Sequence, residues 1–256
     1  MILRSEALSA LPALDHGFFT RRGGVSDGAW ASLNVGLRAG DAPERVTENR
    51  ARAVGALGGT AERLVTARQV HGAVALAVAE PWDNHAAPEA DALVTDRPGL
   101  ILGVLTADCG PVLLADREAG VVGAVHAGWK GALGGVLEAA LAAMARLGAT
   151  PGRVTAALGP CIAQSSYEVG PEFVARFAAE DNTSGGFFAP LGLGGKARFD
   201  LAGYVAARLR RAGVAQVDVL GHDTCAEEEL FFSFRRTTQR REERFGLQLS
   251  AISLRE

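Results

Sequence analysis

Short apolar runs alternate with amphipathic segments along the whole chain. The apolar runs have the length of strands, whereas the amphipathic segments repeat apolar positions every three or four residues. No internal repeat of 20 to 50 residues and no linker interrupts this order. The pattern predicts strands at 17–20, 63–70, 100–106, 112–115, 121–125, 153–159, 217–220 and 247–254. It predicts helices at 42–57, at 132–147, from Pro171 onward and at 201–211.

Residues that favour helix ends and turns set the expected boundaries. Asp41 is the expected N-cap of the first helix, and Gly58-Gly59 is the expected stop. Asp200 is the expected N-cap of the last predicted helix. Residues 181–198 are rich in glycine and predict a mobile loop. Because strands and helices alternate throughout residues 1–256, we expect a single α/β domain with mixed β-sheets.

Composition narrows the class of partner. The 256 residues are 48% hydrophobic and 21% charged, as in soluble globular proteins, and the net charge is −3. This charge gives no electrostatic case for nucleic acid or an anionic membrane, and no apolar run reaches the ~20 residues of a membrane span. The N-terminus lacks a basic segment followed by an apolar core, so we expect no signal peptide. Three widely spaced cysteines fit a reducing compartment, and we expect a cytoplasmic monomer or weak homo-oligomer.

A cysteine and a histidine stand at matched positions around two of the apolar runs. These two runs are joined by DREAG, a polar turn of hairpin length. Antiparallel pairing would place Val112 opposite Val125, so that Cys109 and His126 emerge at the same edge of the sheet. A cysteine beside a strand is most often a small buried hydrophobe, and a histidine there is most often a structural residue. Their pairing, with glycines close to both, instead favours a shared centre.

A metal site needs a third ligand, and His71 is the best candidate. It ends the strand-like run RLVTARQV and is followed by glycine, much as His126 ends its own run. One cysteine and two histidines form a three-ligand zinc set that leaves a fourth position open for water or substrate, as catalytic zinc sites do. From spacing alone, His16, His85 and His222 stay open as alternatives, with His85 in a polar loop.

Nine motifs carry a resemblance that covers residues 16 to 236. In order they are HGFFTRRGGVS, ASLNVGL, ENR, RQVHG, ADALVTD, LTADCGPVLLAD, VHAGWKG, LGPCIAQSSYEVGPE and FFSFRR. With them the chain resembles the YfiH-type laccase-domain family, formerly labelled polyphenol oxidase and now associated with purine nucleoside phosphorylase activity. The resemblance implies an α/β sandwich with mixed sheets, similar to cysteine hydrolase-like and deamidase-like domains. It also implies metal ligands at His71, Cys109 and His126.

The activity implied by the resemblance is zinc-dependent phosphorolysis of purine nucleosides. Adenosine, inosine, guanosine and 5'-methylthioadenosine are the implied substrates, with phosphate as co-substrate and hydrolytic deamination of adenosine as a companion activity. Cys109, His126 and His71 then form the catalytic centre, and Asp108 is a candidate base beside it. Copper is the disfavoured alternative to zinc.

Five residues are candidates for substrate binding. Arg50 and Lys130 are candidates for an anion site, and Lys130 stands at the start of a predicted helix, whose dipole favours phosphate. For Arg50 a solvated helix face is an equally good interpretation. Ser32 and Asn34 are candidates for hydrogen bonds to the ribose, with a turn as the alternative. Tyr167 is a candidate for stacking on a purine, with core packing as the alternative.

Two segments depart from the family pattern. Residues 237–246, TTQRREERFG, replace a glycine-rich segment that usually ends in Thr-Gly-Arg. Lys130 stands where many members have arginine, which keeps the charge but loses the bidentate fork. Cys161 and Ser165 are further candidates for lining the pocket, although a buried structural thiol is the better interpretation of Cys161.

Three other classes of function compete with this one. A cysteine hydrolase that edits peptidoglycan precursors would use Cys109 as nucleophile and His126 as base, without stoichiometric zinc. Copper-dependent phenol oxidation needs many histidines around several coppers, and the five histidines of this chain are too few. A non-catalytic binding protein of the same fold would not need Cys109, His126 and His71, all of which are present.

Overall fold

The computed structural model describes residues 2–192 and 194–255. Its helices are α1 (Glu6–Ser9), α2 (Pro43–Gly55), α3 (Trp129–Gly134), α4 (Val136–Arg146), α5 (Pro171–Glu180), α6 (Leu201–Arg211) and α7 (Phe234–Arg240). Its strands are β1 (Ile2–Leu3), β2 (Leu14–Phe19), β3 (Leu64–Val65), β4 (Ala75–Ala77), β5 (Ala92–Thr95), β6 (Ile101–Thr106), β7 (Gly110–Asp116), β8 (Val121–Ala127), β9 (Thr155–Leu158), β10 (Glu168–Val169), β11 (Phe188–Pro190), β12 (Ala197–Phe199), β13 (Gln216–Val219) and β14 (Gln248–Leu254).

Two large sheets carry the fold. The first has the strand order β1-β2-β14-β6-β3, and the second has the order β13-β9-β7-β8-β5-β4. Both are mixed, because β3 pairs with β6 in parallel, as do β13 with β9 and β4 with β5, while the other pairs are antiparallel. A small antiparallel sheet, β10-β12-β11, stands beside them.

The central strands are buried on both faces, which explains their almost continuous apolar sequences. In β7, Leu113 belongs to the core between the two sheets, whereas Val112 and Leu114 belong to the core shared with α4 and α6. Helix α2 covers the outer face of the first sheet, where Val54 packs in one cluster with residues of β6 and β14. The layers are therefore helix, sheet, sheet and helix, and the predicted α/β sandwich with mixed sheets is confirmed.

Two predicted helices differ from the structure, one in its middle and one at its N-terminus. The expected helix 132–147 is two helices, α3 and α4, because the chain turns at Gly135, whose φ is +93°. Such a left-handed conformation interrupts a helix and suits glycine. Helix α2 begins at Pro43, and Asp41 does not cap it. The Asp41 carboxylate instead accepts hydrogen bonds from the Ser26 hydroxyl and the Asn34 amide, which hold the preceding loop.

Two predictions outside the helices were also wrong. The strand expected at 63–70 is shortened to β3, residues 64–65. Farther along, the Gln69 side chain takes the place of a paired backbone: its oxygen accepts from the N–H of Leu105 at 2.8 Å, and its NH₂ group donates to the C=O of Leu105 at 2.7 Å. The stretch 181–198, expected as a loop, contains β11 and the start of β12. Aromatic packing explains why this stretch is ordered, since the ring centroids of Phe188 and of Phe199, the last residue of β12, lie 4.9 Å apart. Leu193, in the same stretch, lies outside the described residues.

Candidate metal centre

The hairpin of β7 and β8 brings the cysteine and one histidine together. Val112 lies opposite Val125, as the sequence predicts, and Pro111 lies opposite His126. Cys109 directly precedes β7, so its side chain leaves the sheet at the same edge as His126. His71 follows the short β3 region and completes the group: the three ligand atoms all lie within 4.8 Å of one another.

This donor set fits a tetrahedral zinc ion. With Zn–S of about 2.3 Å and Zn–N of about 2.0–2.1 Å, neighbouring ligand atoms stand about 3.5 Å apart. The distance from His71 Nε2 to Cys109 Sγ is 3.7 Å. His126 is bonded through Nδ1 to a carboxylate, so its Nε2 is the atom left to face the other two ligands. Within the described residues, these three form the group that could hold a metal.

Electrostatics favour the anionic thiolate that metals bind. Burial raises the pKa of the Cys109 thiol, but His126 and His71 outweigh burial and lower this pKa to about 6. Burial lowers the pKa of His126, but Cys109 and Asp91 outweigh it and raise this pKa to about 9. Cysteine is a metal ligand and a nucleophile only as the thiolate, so Cys109 is prepared for either role.

Asp91, which the sequence analysis did not single out, organises both histidines. It is 1% exposed and directly precedes β5, which pairs with β8. Its Oδ1 accepts hydrogen bonds from His126 Nδ1 at 2.7 Å and from the backbone N–H of His71 at 2.9 Å. Its Oδ2 accepts from the N–H groups of Val70 and Gly72. One buried carboxylate therefore fixes the ring of one histidine and the loop that carries the other.

We expect Asp91→Asn to weaken zinc binding about 10- to 100-fold, the usual effect of removing a carboxylate that orients a metal-bound histidine. An amide keeps the size of the side chain but places an NH₂ group against N–H donors. The measurement is competition for zinc against a chromophoric chelator. Asp96→Asn is the matched control, because Asp96 follows the same strand and its carboxylate is ion-paired with Arg97. Equal zinc affinity in the Asp91 variant and the wild type would contradict this role.

Gly128 is required by close packing of the two ligands. A Cβ at this position would lie 2.8 Å from His71 Cδ2 and 2.9 Å from Cys109 Sγ, closer than real Cβ atoms approach. Any other residue would therefore push His71 and Cys109 out of place. The glycine of the VHAGW motif thus makes room for His71 and Cys109 as well as leading into α3.

A cavity of about 1180 Å³ opens beside this group. Its wall is built from the loops around 36–39 and 66–71, from the 105–109 segment that leads to Cys109, and from α7 with the residues that follow it. Residues that contribute charge or aromatic surface to it are Arg38, Arg50, Arg68, Trp129, Tyr167, Glu168, Phe234, Arg235, Glu243, Arg244 and Phe245.

Three of the remaining predicted residues line the cavity. Arg50 is buried, and its guanidinium donates to the Val35 carbonyl at 3.1 Å and to Thr66 Oγ1 at 3.0 Å. Tyr167 has one ring face against the guanidinium of Arg235, at 5.1 Å. The third is Asp108.

The Asp108 carboxylate is occupied by internal hydrogen bonds. One oxygen accepts from the N–H of Arg235 at 2.6 Å, and the other accepts from the hydroxyl of Thr224 at 2.7 Å. Burial raises the pKa of Asp108 despite these donors. The structure thus gives Asp108 a part in joining α7 to the segment that carries Cys109, and its role as a base stays a prediction.

The other candidates lie outside the cavity. Ser32 accepts from the N–H of Gly24 and donates to the carbonyl of Arg21. Asn34 is buried and bonds Asp41, Gly36 and Leu247. Both therefore hold the loop that forms one wall, and contact with ribose stays a prediction.

Lys130 is also absent from the described cavity wall. It is exposed, with Nζ 5.5 Å from the centroid of the Trp129 ring, so its part in anion binding stays a prediction. Cys161 is buried and burial raises the pKa of its thiol, in agreement with a structural role. The Ser165 hydroxyl faces Asp223 at 3.5 Å.

Sequence analysis did not single out Asp91, Thr106 or Phe234. Asp91 had one usable signal, a carboxylate directly before a buried strand inside the motif ADALVTD, as Cys109 stands directly before its own apolar run. Thr106 and Phe234 lie inside the motifs LTADCGPVLLAD and FFSFRR, but a buried threonine and an aromatic residue are ordinary in such segments, so residue type alone does not mark them.

Comparisons with known proteins show which family shares this sequence and fold. Residues 15–255 match the family described as multi-copper polyphenol oxidoreductase laccase. A protein of Deinococcus radiodurans named purine nucleoside phosphorylase is 44% identical over 88% of this chain and 84% of its own length. The crystal structure of Neisseria meningitidis protein NMB0706 superposes with a TM-score of 0.88, at 34% identity over 100% of this chain and 99% of the other. The crystal structure of Bacillus licheniformis YfiH superposes with a TM-score of 0.85, at 30% identity over 94% of this chain and 93% of the other. This chain therefore belongs to the YfiH-type laccase-domain family, in which the expected resemblance had placed it.

Proposed function

We propose that this chain is a zinc-dependent purine nucleoside phosphorylase with adenosine deamination as a second activity. The observation that carries the proposal is that one cavity combines a Cys-His-His metal group with a buried guanidinium that has no carboxylate partner among the described residues. The name of the Deinococcus radiodurans relative supports the same activity. The proposed substrates are adenosine, inosine, guanosine and 5'-methylthioadenosine.

Arg50 is the centre of the proposed phosphate site. It is 6% exposed, and burial alone lowers its pKa, to about 10, so the side chain stays cationic at neutral pH. A buried charge without a counter-ion is costly, and a phosphate entering the cavity would provide one. The guanidinium matches two phosphate oxygens in geometry, because its N–H donors lie in a planar fork.

Thr106 is a second contributor to this site. Its hydroxyl is buried in the cavity wall and has no hydrogen-bond partner among the described residues. An unpaired buried hydroxyl costs free energy that a ligand oxygen can recover. Thr106 lies opposite Gln248 in the pairing of β6 with β14. Leu247, the residue before Gln248, accepts a hydrogen bond at its carbonyl from the N–H of Val35. Arg50 bonds the carbonyl of that same Val35, so both groups belong to one part of the wall.

Each reaction replaces one group on a carbon atom by another. In phosphorolysis an oxygen of hydrogen phosphate bonds to C1' of the ribose while the C1'–N9 bond breaks. The bonding pair stays on the purine, which also receives the proton of the phosphate, and ribose 1-phosphate leaves. In deamination water adds at C6 of adenosine and ammonia departs, giving inosine. A zinc ion at His71, Cys109 and His126 would supply a Lewis acid.

The choice of zinc rests on the ligand chemistry. A thiolate with two imidazoles is a common catalytic zinc set, whereas oxidases of the laccase type need several coppers. The family description names copper, but the described residues of this chain offer a single Cys-His-His group. We therefore propose zinc, with copper as the alternative that metal analysis would detect.

The proposal is tested with the purified protein in one experiment of two parts. Metal content is measured by inductively coupled plasma mass spectrometry, and inosine is then incubated with and without phosphate. We expect about one zinc per chain, and release of hypoxanthine and ribose 1-phosphate only with phosphate present. Adenosine without phosphate should give inosine and ammonia. Copper in place of zinc, or no dependence on phosphate, would refute the proposal.

One observation favours a second candidate, a cysteine hydrolase. Cys109, His126 and Asp91 stand in the order nucleophile, base and orienting carboxylate. Hydrolysis uses water and needs no anion as co-substrate, whereas phosphorolysis needs one that the buried Arg50 can bind, which is why we prefer the phosphorylase. A cysteine hydrolase would keep its activity after zinc is removed by a chelator, whereas the phosphorylase would lose it.

The setting that we propose is the cytoplasm, with the chain as a monomer or weak homo-oligomer. All three cysteines are free thiols, as expected in a reducing compartment. Among the described residues, no helix is long and apolar enough to cross a bilayer.

A further inference from the structure

Two phenylalanines lie side by side on the cavity wall, and one of them is exposed in a way that packing does not explain. Phe234, the first residue of α7, is 55% exposed, although it lines the cavity. The ring of Phe245 lies beside it, with centroids 5.2 Å apart and planes tilted by 59°. Phe245 is half-buried. Large aromatic side chains usually bury most of their surface, so the exposed ring of Phe234 beside a second ring in a cavity wall indicates a ligand.

The backbone beside Phe234 is anchored to the segment that carries Cys109. The N–H of Arg235, next to Phe234, donates to the carboxylate of Asp108, which directly precedes Cys109. Phe234 is therefore linked to the proposed metal ligand Cys109 through two residues, Arg235 and Asp108. The helix itself is capped by Ser233, whose hydroxyl accepts from the N–H of Arg236.

Phe245 has an independent anchor. A Cβ at Gly246 would lie 2.7 Å from the ring of Phe232, so the backbone after Phe245 packs directly on that ring. Phe232 is in turn fixed by Gln248, whose side-chain oxygen accepts from the N–H of Phe232 at 2.9 Å. Backbone contacts at two points therefore position the two segments that carry these rings.

We propose that Phe234 and Phe245 form the binding platform for the purine base, an inference that rests on the proposed function. Every purine offers a flat π-face, so stacking binds the base with little dependence on its substituents. Such a platform would accept adenine, hypoxanthine and guanine alike. It lies in the same cavity as the metal group and Arg50, so base, sugar and phosphate can occupy one site.

Tyr167, the residue that the sequence favoured for stacking, is less available. One face of its ring is covered by the guanidinium of Arg235, at 5.1 Å. The rings of Phe173 and Phe199 pack against Tyr167 in T-shaped pairs, with their centroids 6.1 and 5.9 Å from the centroid of the Tyr167 ring. Phe234 has more than half of its surface free, so the geometry points to Phe234 and not to Tyr167.

The platform is tested by direct binding of 2-aminopurine riboside to the zinc-loaded protein without phosphate. This fluorescent purine nucleoside lacks a 6-amino group and is quenched when it stacks. We expect Phe234→Ala and Phe234→Leu to weaken its binding about 5- to 100-fold and to remove the quenching, whereas Phe234→Trp keeps both. In inosine phosphorolysis the alanine variant should raise KM for inosine and leave KM for phosphate unchanged. Val219→Ala, at an exposed apolar position that is 39% exposed and outside the cavity wall, is the control.

The outcomes separate this inference from the function on which it rests. If the wild type binds and quenches the probe and Phe234→Ala does the same with equal affinity, the platform is refuted and the phosphorylase stands. If Phe234→Leu binds and quenches as well as the wild type does, apolar contact and not stacking is responsible, and the platform is again refuted. If the wild type binds no nucleoside and turns none over, the proposed function fails.

Discussion

Cys109→Ala is expected to abolish phosphorolysis and deamination together and to leave the protein with little zinc. The three ligand atoms lie within 4.8 Å of one another, so removal of one ligand affects the whole group. Two neutral imidazoles bind zinc far more weakly than a set that includes a thiolate. A Lewis acid contributes several kcal/mol to a barrier, so we expect both values of kcat/KM to fall by more than about a thousandfold. Zinc content per chain and both activities are the measurements.

The other two cysteines are the controls for this experiment. Cys161 is buried and Cys225 is half-buried, and neither belongs to the metal group. We expect Cys161→Ala to lower the melting temperature because it leaves a small cavity, and both control variants to keep most of their activity and their zinc. Comparable losses of activity in all three variants would argue against a special role for Cys109.

Alkylation gives a readout of the metal group that does not depend on turnover. His126 and His71 lower the pKa of the Cys109 thiol to about 6, so this cysteine is largely a thiolate at pH 7.5 once zinc is removed. After treatment with a chelator, iodoacetamide should modify Cys109 before Cys161, whose thiol pKa is raised by burial. Added zinc should protect Cys109. Alkylation that is equally fast with and without zinc would contradict a metal–thiolate bond.

The hairpin that carries Cys109 and His126 could be predicted from the sequence because all of its determinants are local. Two apolar runs and a short polar turn fix the register, and the register fixes which residues share an edge. His71 could be added because it ends its run in the same way. Asp91 could not be placed, since its contact with both histidines depends on the pairing of β5 with β8, which no local pattern specifies.

The wrong predictions have equally physical causes. Apolar spacing predicts one helix at 132–147 because such spacing does not reveal the left-handed turn at Gly135. Lys130 is a different case, because it lies exposed in the first turn of α3 and its part in anion binding stays a prediction. Phe234 and Phe245 stand eleven residues apart, and only the path of the chain after α7 brings their rings together.

Arg50 can be tested for phosphate binding because deamination provides an internal reference. Deamination uses water in place of phosphate, so a residue that binds only phosphate should affect phosphorolysis alone. We expect Arg50→Met to raise the apparent KM for phosphate about 10- to 100-fold, the equivalent of one charge-assisted hydrogen bond of about 1.5–3 kcal/mol. Arg50→Lys should have an apparent KM for phosphate between those of the wild type and Arg50→Met, since lysine keeps the charge and loses the planar fork of N–H donors.

The fold must be separated from binding in this experiment, because Arg50 also bonds the protein itself. Loss of the guanidinium leaves the Val35 carbonyl and the Thr66 hydroxyl without that donor, which costs about 1–3 kcal/mol of stability for each group left unsatisfied. The melting temperature should therefore fall in Arg50→Met. Arg52→Ala is the matched control: Arg52 lies on the same helix, is exposed and is ion-paired with Glu48, so neither activity should change.

Salt distinguishes Arg50 from Lys130, the other cation that the sequence predicted for this site. Arg50 is 6% exposed, so its attraction for phosphate is weakly screened and its variant should show the same defect at low and high salt. Lys130 is exposed, and any contribution it makes acts through solvent, so Lys130→Ala should raise KM for phosphate only at low ionic strength and by a smaller factor. Steady-state phosphorolysis and deamination are measured side by side at two salt concentrations. Equal losses of both activities in Arg50→Met would mean that Arg50 holds the nucleoside or the fold, because a residue that binds phosphate alone has no means of slowing a reaction that uses water.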